Sequence, residues 1–184
     1  MELQKQFVWD MMGKTRCKEI HMLYALIVIA LIAADQGLKY WVVSHLSLGQ
    51  SAPFLPGLLQ LTRLHNTGAA WSSFSGMTTL LITVTAVLMV GVLVLLAKKI
   101  VRHPLGVAAC LLILGGGLGN LIDRVLRGYV VDMFDLLLFE YPIFNLADCF
   151  VVVGAILGGV YYLFLYEKTD KKEKPHDPDA DGHN

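Results

Sequence analysis

Three stretches of this chain run for 18 residues each without a single charged side chain: 80–97, 105–122 and 149–166. An α-helix needs roughly 20 apolar residues to cross a bilayer. A fourth apolar stretch, 22–43, is long enough and is interrupted only by Asp35 and Lys39. Because backbone inside a membrane must satisfy its own hydrogen bonds, these stretches predict membrane-spanning helices. The four predicted spans cover about residues 22–43, 78–97, 105–122 and 147–166.

The composition agrees with a membrane protein and excludes several other classes. Of the 184 residues, 55% are hydrophobic and 16% are charged, whereas an ordinary soluble domain carries about 25% charged residues. The 15 Lys and Arg residues balance the 15 Asp and Glu residues, which argues against a nucleic-acid-binding protein. Three scattered cysteines are too few for a disulfide framework or a CxxC metal site.

The basic residues indicate on which side of the membrane each loop lies. Of the 15 Lys and Arg residues, 11 precede the first span, separate the second from the third, or follow the fourth. Since cytoplasmic loops are enriched in Lys and Arg, we expect both termini in the cytoplasm and loops 44–76 and 123–146 outside it. The chain then divides into a cytoplasmic N-terminal segment (1–21), a membrane domain (22–166) and a disordered, polar cytoplasmic tail (167–184).

Loop 44–76 differs in character from the tail. Its apolar residues alternate with polar ones between Pro and Gly residues, which predicts short strands that lie at the membrane surface. The tail, in contrast, is rich in Lys, Asp, Pro and His.

An acid and a base lie within the first span. Asp35 and Lys39 are four residues apart, so they share one helix face and can form an ion pair. One interpretation is a structural pair that anchors the first helix to its neighbours. The other is a functional site, the default for ionisable residues within a span, with Lys39 reaching the outer interface through its long side chain. The sequence leaves both open.

Small residues on the third and fourth spans indicate close helix packing. Gly115 and Gly119 are four residues apart, and Gly154 and Gly158 repeat the spacing on the fourth span. Such pairs let two helices approach each other closely.

Three polar residues, Asn120, Asp123 and Arg124, share one helix face where the third span ends. The Asp–Arg pair could cap this helix. Alternatively, the five fixed donors of the guanidinium could hold a carbonyl-rich substrate segment.

Two further aspartates, Asp132 and Asp148, bracket the second outer loop and are embedded in apolar residues. Taken singly, Asp132 is interpreted as a partner of Arg127, and Asp148 as a helix-start residue that favours the positive end of the helix dipole. Taken together, two carboxylates at the mouth of a helical bundle can share one proton and activate one water molecule. Such a pair would hydrolyse an amide without a metal or a covalent nucleophile.

Four sequence blocks follow one another along the hydrophobic body of the chain. They are Asp35-Gln36-x-x-Lys39, Asn66-Thr67-Gly68-Ala69-Ala70, Gly116-x-x-Gly119-Asn120-x-x-Asp123-Arg124, and Val131-Asp132 followed by Phe144-Asn145-x-Ala147-Asp148. The chain resembles the lipoprotein signal peptidases, also called signal peptidase II. The resemblance lies in these blocks, in their order and in the four membrane spans that carry them.

The resemblance implies an all-α membrane protein whose four-helix transmembrane bundle carries a small extracytoplasmic β-cradle. It implies an aspartic endopeptidase of the bacterial cytoplasmic (inner) membrane that removes signal peptides from diacylglyceryl-modified prolipoproteins. Cleavage would occur just before the lipidated cysteine, near the surface of the outer leaflet.

The resemblance also assigns roles to the residues of the motifs. Asp132 and Asp148 would be the catalytic pair. Substrate-binding roles fall to Asn66, Asn120, Arg124 and Asn145, and supporting roles to Asp35, Lys39, Asp123 and Gly68. No cofactor and no metal are implied. The expected partners are prolipoproteins and the lipid bilayer, not nucleic acid, and we expect a monomer.

A small transporter or a proton-conducting bundle is the alternative from another functional class. Asp35, Lys39 and the aspartate pair could form a proton relay within such a bundle. However, the polar residues cluster at one face of the membrane, and no inverted repeat is visible.

Overall fold

The computed structural model describes residues 2–68 and 76–170, with side chains from residue 19 onward. The helices are α1 (Glu2–His45), α2 (Thr78–Ala97), α3 (Pro104–Arg127), α4 (Leu146–Phe164) and the short α5 (Tyr166–Thr169). The strands are β1 (Ser51–Leu55), β2 (Leu59–Asn66) and β3 (Val130–Leu136). Within the described residues, four helices are long and apolar enough to cross a membrane, α1 through its part Glu19–His45. The prediction of four spans is therefore confirmed.

Two helices are longer than predicted. The first begins at Glu2, and α3 continues through Asp123 and Arg124 to Arg127. The predicted second loop therefore begins later than residue 123. The extension of α3 is possible because Asp123 is paired inside the protein, and the helix ends at Gly128, whose φ of 79° is left-handed.

Helix α3 lies at the centre of the bundle and packs against α1, α2 and α4. Glycines of α3 and α4 allow this close packing, as their four-residue spacing predicted. A Cβ at Gly115 would lie 2.6 Å from the Leu31 side chain, and one at Gly154 would lie 3.0 Å from the carbonyl oxygen of Ala109. Gly158 makes only an ordinary contact, at 3.7 Å.

The three strands form an antiparallel sheet in the order β1-β2-β3. Loop 44–76 supplies β1 and β2, which confirms its predicted strands, while β3 was not predicted. The sheet packs through Leu61, Val131 and Met133 onto Val42 and Leu46 near the end of α1. Strand β3, which carries Asp132, is thereby held beside the bundle.

The predicted tail begins too early. Tyr166–Thr169 form α5, and Asp170 is buried, where it accepts a hydrogen bond from the Tyr161 hydroxyl at 2.7 Å and two from the backbone of Arg102 and His103. Burial raises the pKa of Asp170, but these hydrogen bonds outweigh it and lower the pKa to about 2. The remainder of the predicted tail, 171–184, lies outside the described residues.

Candidate active site

A capping box at the start of α4 fixes the orientation of Asp148. The Asn145 side chain accepts a hydrogen bond from the backbone nitrogen of Asp148 at 3.0 Å. In return, the Asp148 carboxylate accepts one from the backbone nitrogen of Asn145 at 3.1 Å. This reciprocal pair satisfies two donors that the first turn of a helix leaves free. Asp148 is thus a helix-start residue, as one interpretation held, and its other carboxylate oxygen accepts a hydrogen bond from the Asn120 amide at 2.8 Å.

Strand β3 places Asp132 in the interior, where only 1% of its surface is exposed. Its carboxylate accepts hydrogen bonds from the Asn145 amide at 2.7 Å and from the Asn66 amide at 2.8 Å. Burial and, to a smaller extent, the nearby charge of Asp148 raise the pKa of Asp132 to about 6, although the two hydrogen bonds act to lower it. A carboxyl group with this pKa can hold or release a proton near neutral pH.

Asn145 connects the two aspartates. Its amide donates to Asp132, whereas its side-chain oxygen and backbone nitrogen both bond to Asp148. Asn120 of α3 adds a second link, because its amide donates to Asp148 at 2.8 Å and its oxygen accepts from the Asn145 amide at 3.1 Å. The structure therefore brings Asp132, Asp148, Asn66, Asn120 and Asn145 into one cluster.

A buried ionic network lies behind this cluster. Lys39 is fully buried and contacts Asp35 at 2.8 Å and Asp123 at 3.0 Å, both of which are also fully buried. Its ammonium also donates to the oxygen of Asn120 at 3.0 Å. The ion pair predicted from the spacing of Asp35 and Lys39 is confirmed. The prediction that Lys39 reaches the outer interface is wrong, because the partners hold its ammonium inside the bundle.

Arg127 belongs to this network and not to the cluster of Asp132 and Asp148. Its guanidinium pairs with Asp123, one helical turn earlier on α3, so the interpretation of Asp132 as the partner of Arg127 is wrong. Asp123 pairs with Lys39 and Arg127, so it does not form the predicted helix cap with Arg124. The spacing of four residues between Asp123 and Arg127 was a signal that could have identified this pair.

Gln36, for which the sequence predicted no separate role, also contacts this network. Its amide donates to Asp35 and Asp123, each at 3.2 Å, and to the carbonyl oxygen of Gly119 at 3.1 Å. It therefore ties α1 to α3 beside the ionic network. The only sequence signal for Gln36 was its position in the block that begins at Asp35.

Arg124 reaches across the site to the chain that follows β2. Its guanidinium donates to the carbonyl oxygen of Gly68 at 3.0 Å, and the backbone nitrogen of Gly68 donates to Asn66 at 2.9 Å. The Nε atom of Arg124 is buried and has no hydrogen-bond partner among the described residues. The Arg124 side chain also lines the cavity described below, which places its guanidinium beside the space that a ligand would occupy. Ala69 and Ala70 of the same sequence block lie outside the described residues.

A cavity of about 560 Å³ opens beside the cluster, between α2, α3 and α4. Its polar wall consists of the predicted site residues Asn66, Asn120, Arg124, Asp132, Asn145 and Asp148. Its apolar wall includes Leu88 and Met89 of α2, Ile113 of α3 and Val152 of α4. Ile113 lies two helical turns from Asn120, so the apolar part extends about 10 Å along the helices. The space suits a ligand with one polar group and an apolar extension.

The chain matches a known family over most of its length. The model of the family described as Signal peptidase (SPase) II matches residues 27–164. This range contains all four sequence blocks and each of the cluster residues described above.

Curated relatives and solved structures agree with that match. The chain is 42% identical to the lipoprotein signal peptidase of Enterococcus faecalis over 156 residues, which is 83% of this chain and 94% of the relative. It is 40% identical to that of Lactococcus lactis subsp. lactis, over 83% of this chain and 98% of the relative. A crystal structure described as a bacterial membrane enzyme, solved by the in meso method at 2.3 Å resolution, is 33% identical. It superposes with a TM-score of 0.72 over 83% of this chain and 93% of its own.

Proposed function

The chain belongs to the signal peptidase II family, and from this premise we propose that it is an aspartic endopeptidase that cleaves diacylglyceryl-modified prolipoproteins just before the lipidated cysteine. Membership makes the chain a membrane protease of lipoprotein processing. The proposal adds the type of catalysis and the position of the cut. The observation that carries it is the pairing of Asp132 and Asp148 through the single residue Asn145.

The proposed reaction uses one proton shared by two carboxyl groups. The raised pKa of Asp132 supports its role as the protonated member, which leaves Asp148 as the base. Asp148 takes a proton from water, and the oxygen of that water forms a bond to the scissile carbonyl carbon. Asp132 donates a hydrogen bond to the carbonyl oxygen and then gives its proton to the nitrogen as the C–N bond breaks. The pair again holds one proton, now on Asp148, and transfer of this proton to Asp132 restores the starting state.

The surrounding residues would position the peptide for this attack. The guanidinium of Arg124 lines the cavity and is suited to a substrate carbonyl group, and the apolar wall of the cavity is suited to a signal helix or an acyl chain. Binding energy from such remote parts of the substrate can be used to orient the reacting bond. Asn66 and Asn120 hold the aspartates, while Asp35, Lys39, Asp123 and Gly68 support them from behind.

We further propose that both termini lie in the cytoplasm and that the site faces the outer leaflet. The distribution of Lys and Arg supports this orientation, because 11 of the 15 precede the first span, separate the second from the third, or follow the fourth in sequence. A monomer is supported by the fact that one chain supplies every residue of the cluster. We assign the chain no metal, no cofactor and no nucleic-acid partner.

The decisive experiment compares two forms of one precursor. The purified full-length chain in phospholipid vesicles is incubated with a diacylglyceryl-modified prolipoprotein and with its unmodified form, in the presence and absence of EDTA. We expect cleavage of the modified form only, unaffected by EDTA, with the lipidated cysteine as the new N-terminus by mass spectrometry. Equal cleavage of both forms, or a cut elsewhere, would refute the proposed specificity.

A further inference from the structure

Six large apolar side chains are exposed at the hairpin end of the sheet, where no membrane-spanning helix accounts for them. Between 41% and 64% of the surface of each is accessible. We call this group the hairpin patch, and it consists of Phe54, Leu55, Leu58, Leu137, Leu138 and Phe139.

The hairpin patch is a single surface, although it comes from two segments of the chain. The backbone nitrogen of Leu137 donates to the carbonyl oxygen of Leu58 at 3.0 Å. Leu59 pairs with both Leu55 and Leu136 across the sheet. Single exposed apolar residues are ordinary, but contiguous groups of large ones mark interaction surfaces.

The chain leads directly from the hairpin patch to the lipid-facing part of the bundle. Residues 141–143 line the catalytic cavity together with Thr85 and Leu88 of α2. Helix α2 spans the membrane, and its exposed residues Leu80, Val84 and Leu88 face the lipid. The hairpin patch thus ends two residues before a segment that borders the same cavity as this membrane-spanning helix.

We propose that the hairpin patch inserts into the bilayer surface at the end of the bundle that carries the sheet, and that its occupant is lipid. The insertion is shallow. Strand β1 is an edge strand, and no strand among the described residues pairs with its outer side, so its backbone groups need water or headgroups. The side chains alone enter the boundary between headgroups and acyl chains, as in amphipathic surface segments.

This insertion would fix the depth of the catalytic strand. The sheet is held against Val42 and Leu46 of α1 by residues that include Val131 and Met133, and its hairpin end would be held by the hairpin patch. Asp132 lies between Val131 and Met133, five residues before Leu137, or about 16 Å along the strand. Two anchors therefore set the height of Asp132 relative to the lipid.

The test measures how close the hairpin patch lies to the acyl chains. The full-length chain, with Trp9, Trp41 and Trp71 replaced by Phe, receives a single tryptophan as Leu138→Trp, or as Gln50→Trp at the opposite end of the sheet. Both variants are reconstituted in phosphatidylcholine vesicles whose chains are brominated either near the headgroup or near the bilayer centre. Cleavage of a lipidated precursor verifies that each variant is folded.

We expect the Leu138→Trp variant to lose about half of its fluorescence or more with shallow bromine atoms and less with deep ones. The Gln50→Trp variant should be quenched much less by either. Quenching of the Leu138→Trp variant by aqueous iodide, without quenching by bromine, would overturn the proposal. Protection from both quenchers would also overturn it, because protein would then cover the hairpin patch, and light scattering would show whether that protein is a second copy.

Discussion

Lys39 of α1 and the catalytic candidate Asp148 of α4 are joined by one side chain, the amide of Asn120. The Lys39 ammonium donates to the Asn120 oxygen at 3.0 Å, and the Asn120 nitrogen donates to Asp148 at 2.8 Å. Because an ammonium group can only donate, it fixes which end of the amide faces Asp148. A buried charge in the first span thus orients a carboxylate that lies more than one hundred residues away in sequence.

The first prediction tests whether Lys39 orients the site or only stabilises the fold. Lys39→Met should lower the free energy of unfolding by about 3–5 kcal/mol, because it leaves buried carboxylates without their partner. The double variant Lys39→Met/Asp35→Asn keeps Asp123 paired with Arg127 and should recover most of that stability. Its kcat should nevertheless stay at least about tenfold low, with KM little changed, since Asn120 is no longer oriented. A double variant with normal kcat would show that the role of Lys39 is structural.

The second prediction concerns the aspartate pair. Asp132→Asn and Asp148→Asn should each reduce cleavage of a lipidated precursor by at least about 100-fold, because each removes a group that transfers a proton. Asp135→Asn is the matched control, since Asp135 lies on the same strand and bonds to Gln60 and Thr62 away from the cavity. It should keep near-normal activity. Normal turnover by either of the first two variants would remove that residue from the mechanism.

The third prediction concerns pH. In the proposed mechanism the proton on Asp132 is needed for catalysis, so the pKa of Asp132, raised to about 6, predicts that kcat/KM falls as pH rises through this value. Asn66→Ala removes a hydrogen bond that lowers this pKa, so the alkaline limb of the profile should move to higher pH. Gln60→Ala, whose amide contacts Asp135 instead, should leave the limb in place. A limb that does not move in the Asn66 variant would contradict the assignment of the proton to Asp132.

The fourth prediction concerns Arg124 as a donor to the substrate. Arg124→Lys keeps the charge but loses the fixed fork of donors, including the unpartnered Nε. Hydrogen bonds to charged groups contribute about 1.5–3 kcal/mol, so kcat/KM should fall roughly 10- to 100-fold. Arg127→Lys, three residues later on the same helix, should have a smaller effect because its partner is Asp123. Equal losses in the two variants would argue against a substrate contact by Arg124.

The fifth prediction concerns the contact of α3 with α4. A Cβ at Gly116 would overlap the carbonyl oxygen of Ala147 and lie 2.8 Å from the Val151 side chain. Gly116→Ala should therefore destabilise the protein by about 1–3 kcal/mol through overpacking. Gly159→Ala, where nothing lies within 4 Å of the added carbon, should be neutral or slightly stabilising. Thermal unfolding in detergent measures both, and equal effects would contradict the packing argument.

The sequence by itself was sufficient for the frame of the protein. Runs of uncharged residues predict the four spans because lipid admits few other side chains. The spacing of Asp35 and Lys39 predicts their ion pair because the pitch of a helix is fixed. The glycine pairs predict close packing for the same reason, and Gly115 and Gly154 confirm it. These inferences succeed because each depends on residues that are neighbours along one helix or strand.

Only the tertiary structure decided which of the polar residues act together. The spacing along α1 predicts only Asp35 as a partner of Lys39, and the packing of α3 against α1 adds Asp123 as a second one. Strand β3 was not predicted because its pairing with β2 joins segments about seventy residues apart. The amide bridge of Asn145 between Asp132 and Asp148 depends on that same strand meeting the start of α4. Contacts between distant segments follow from how whole elements pack, and local residue patterns do not contain that information.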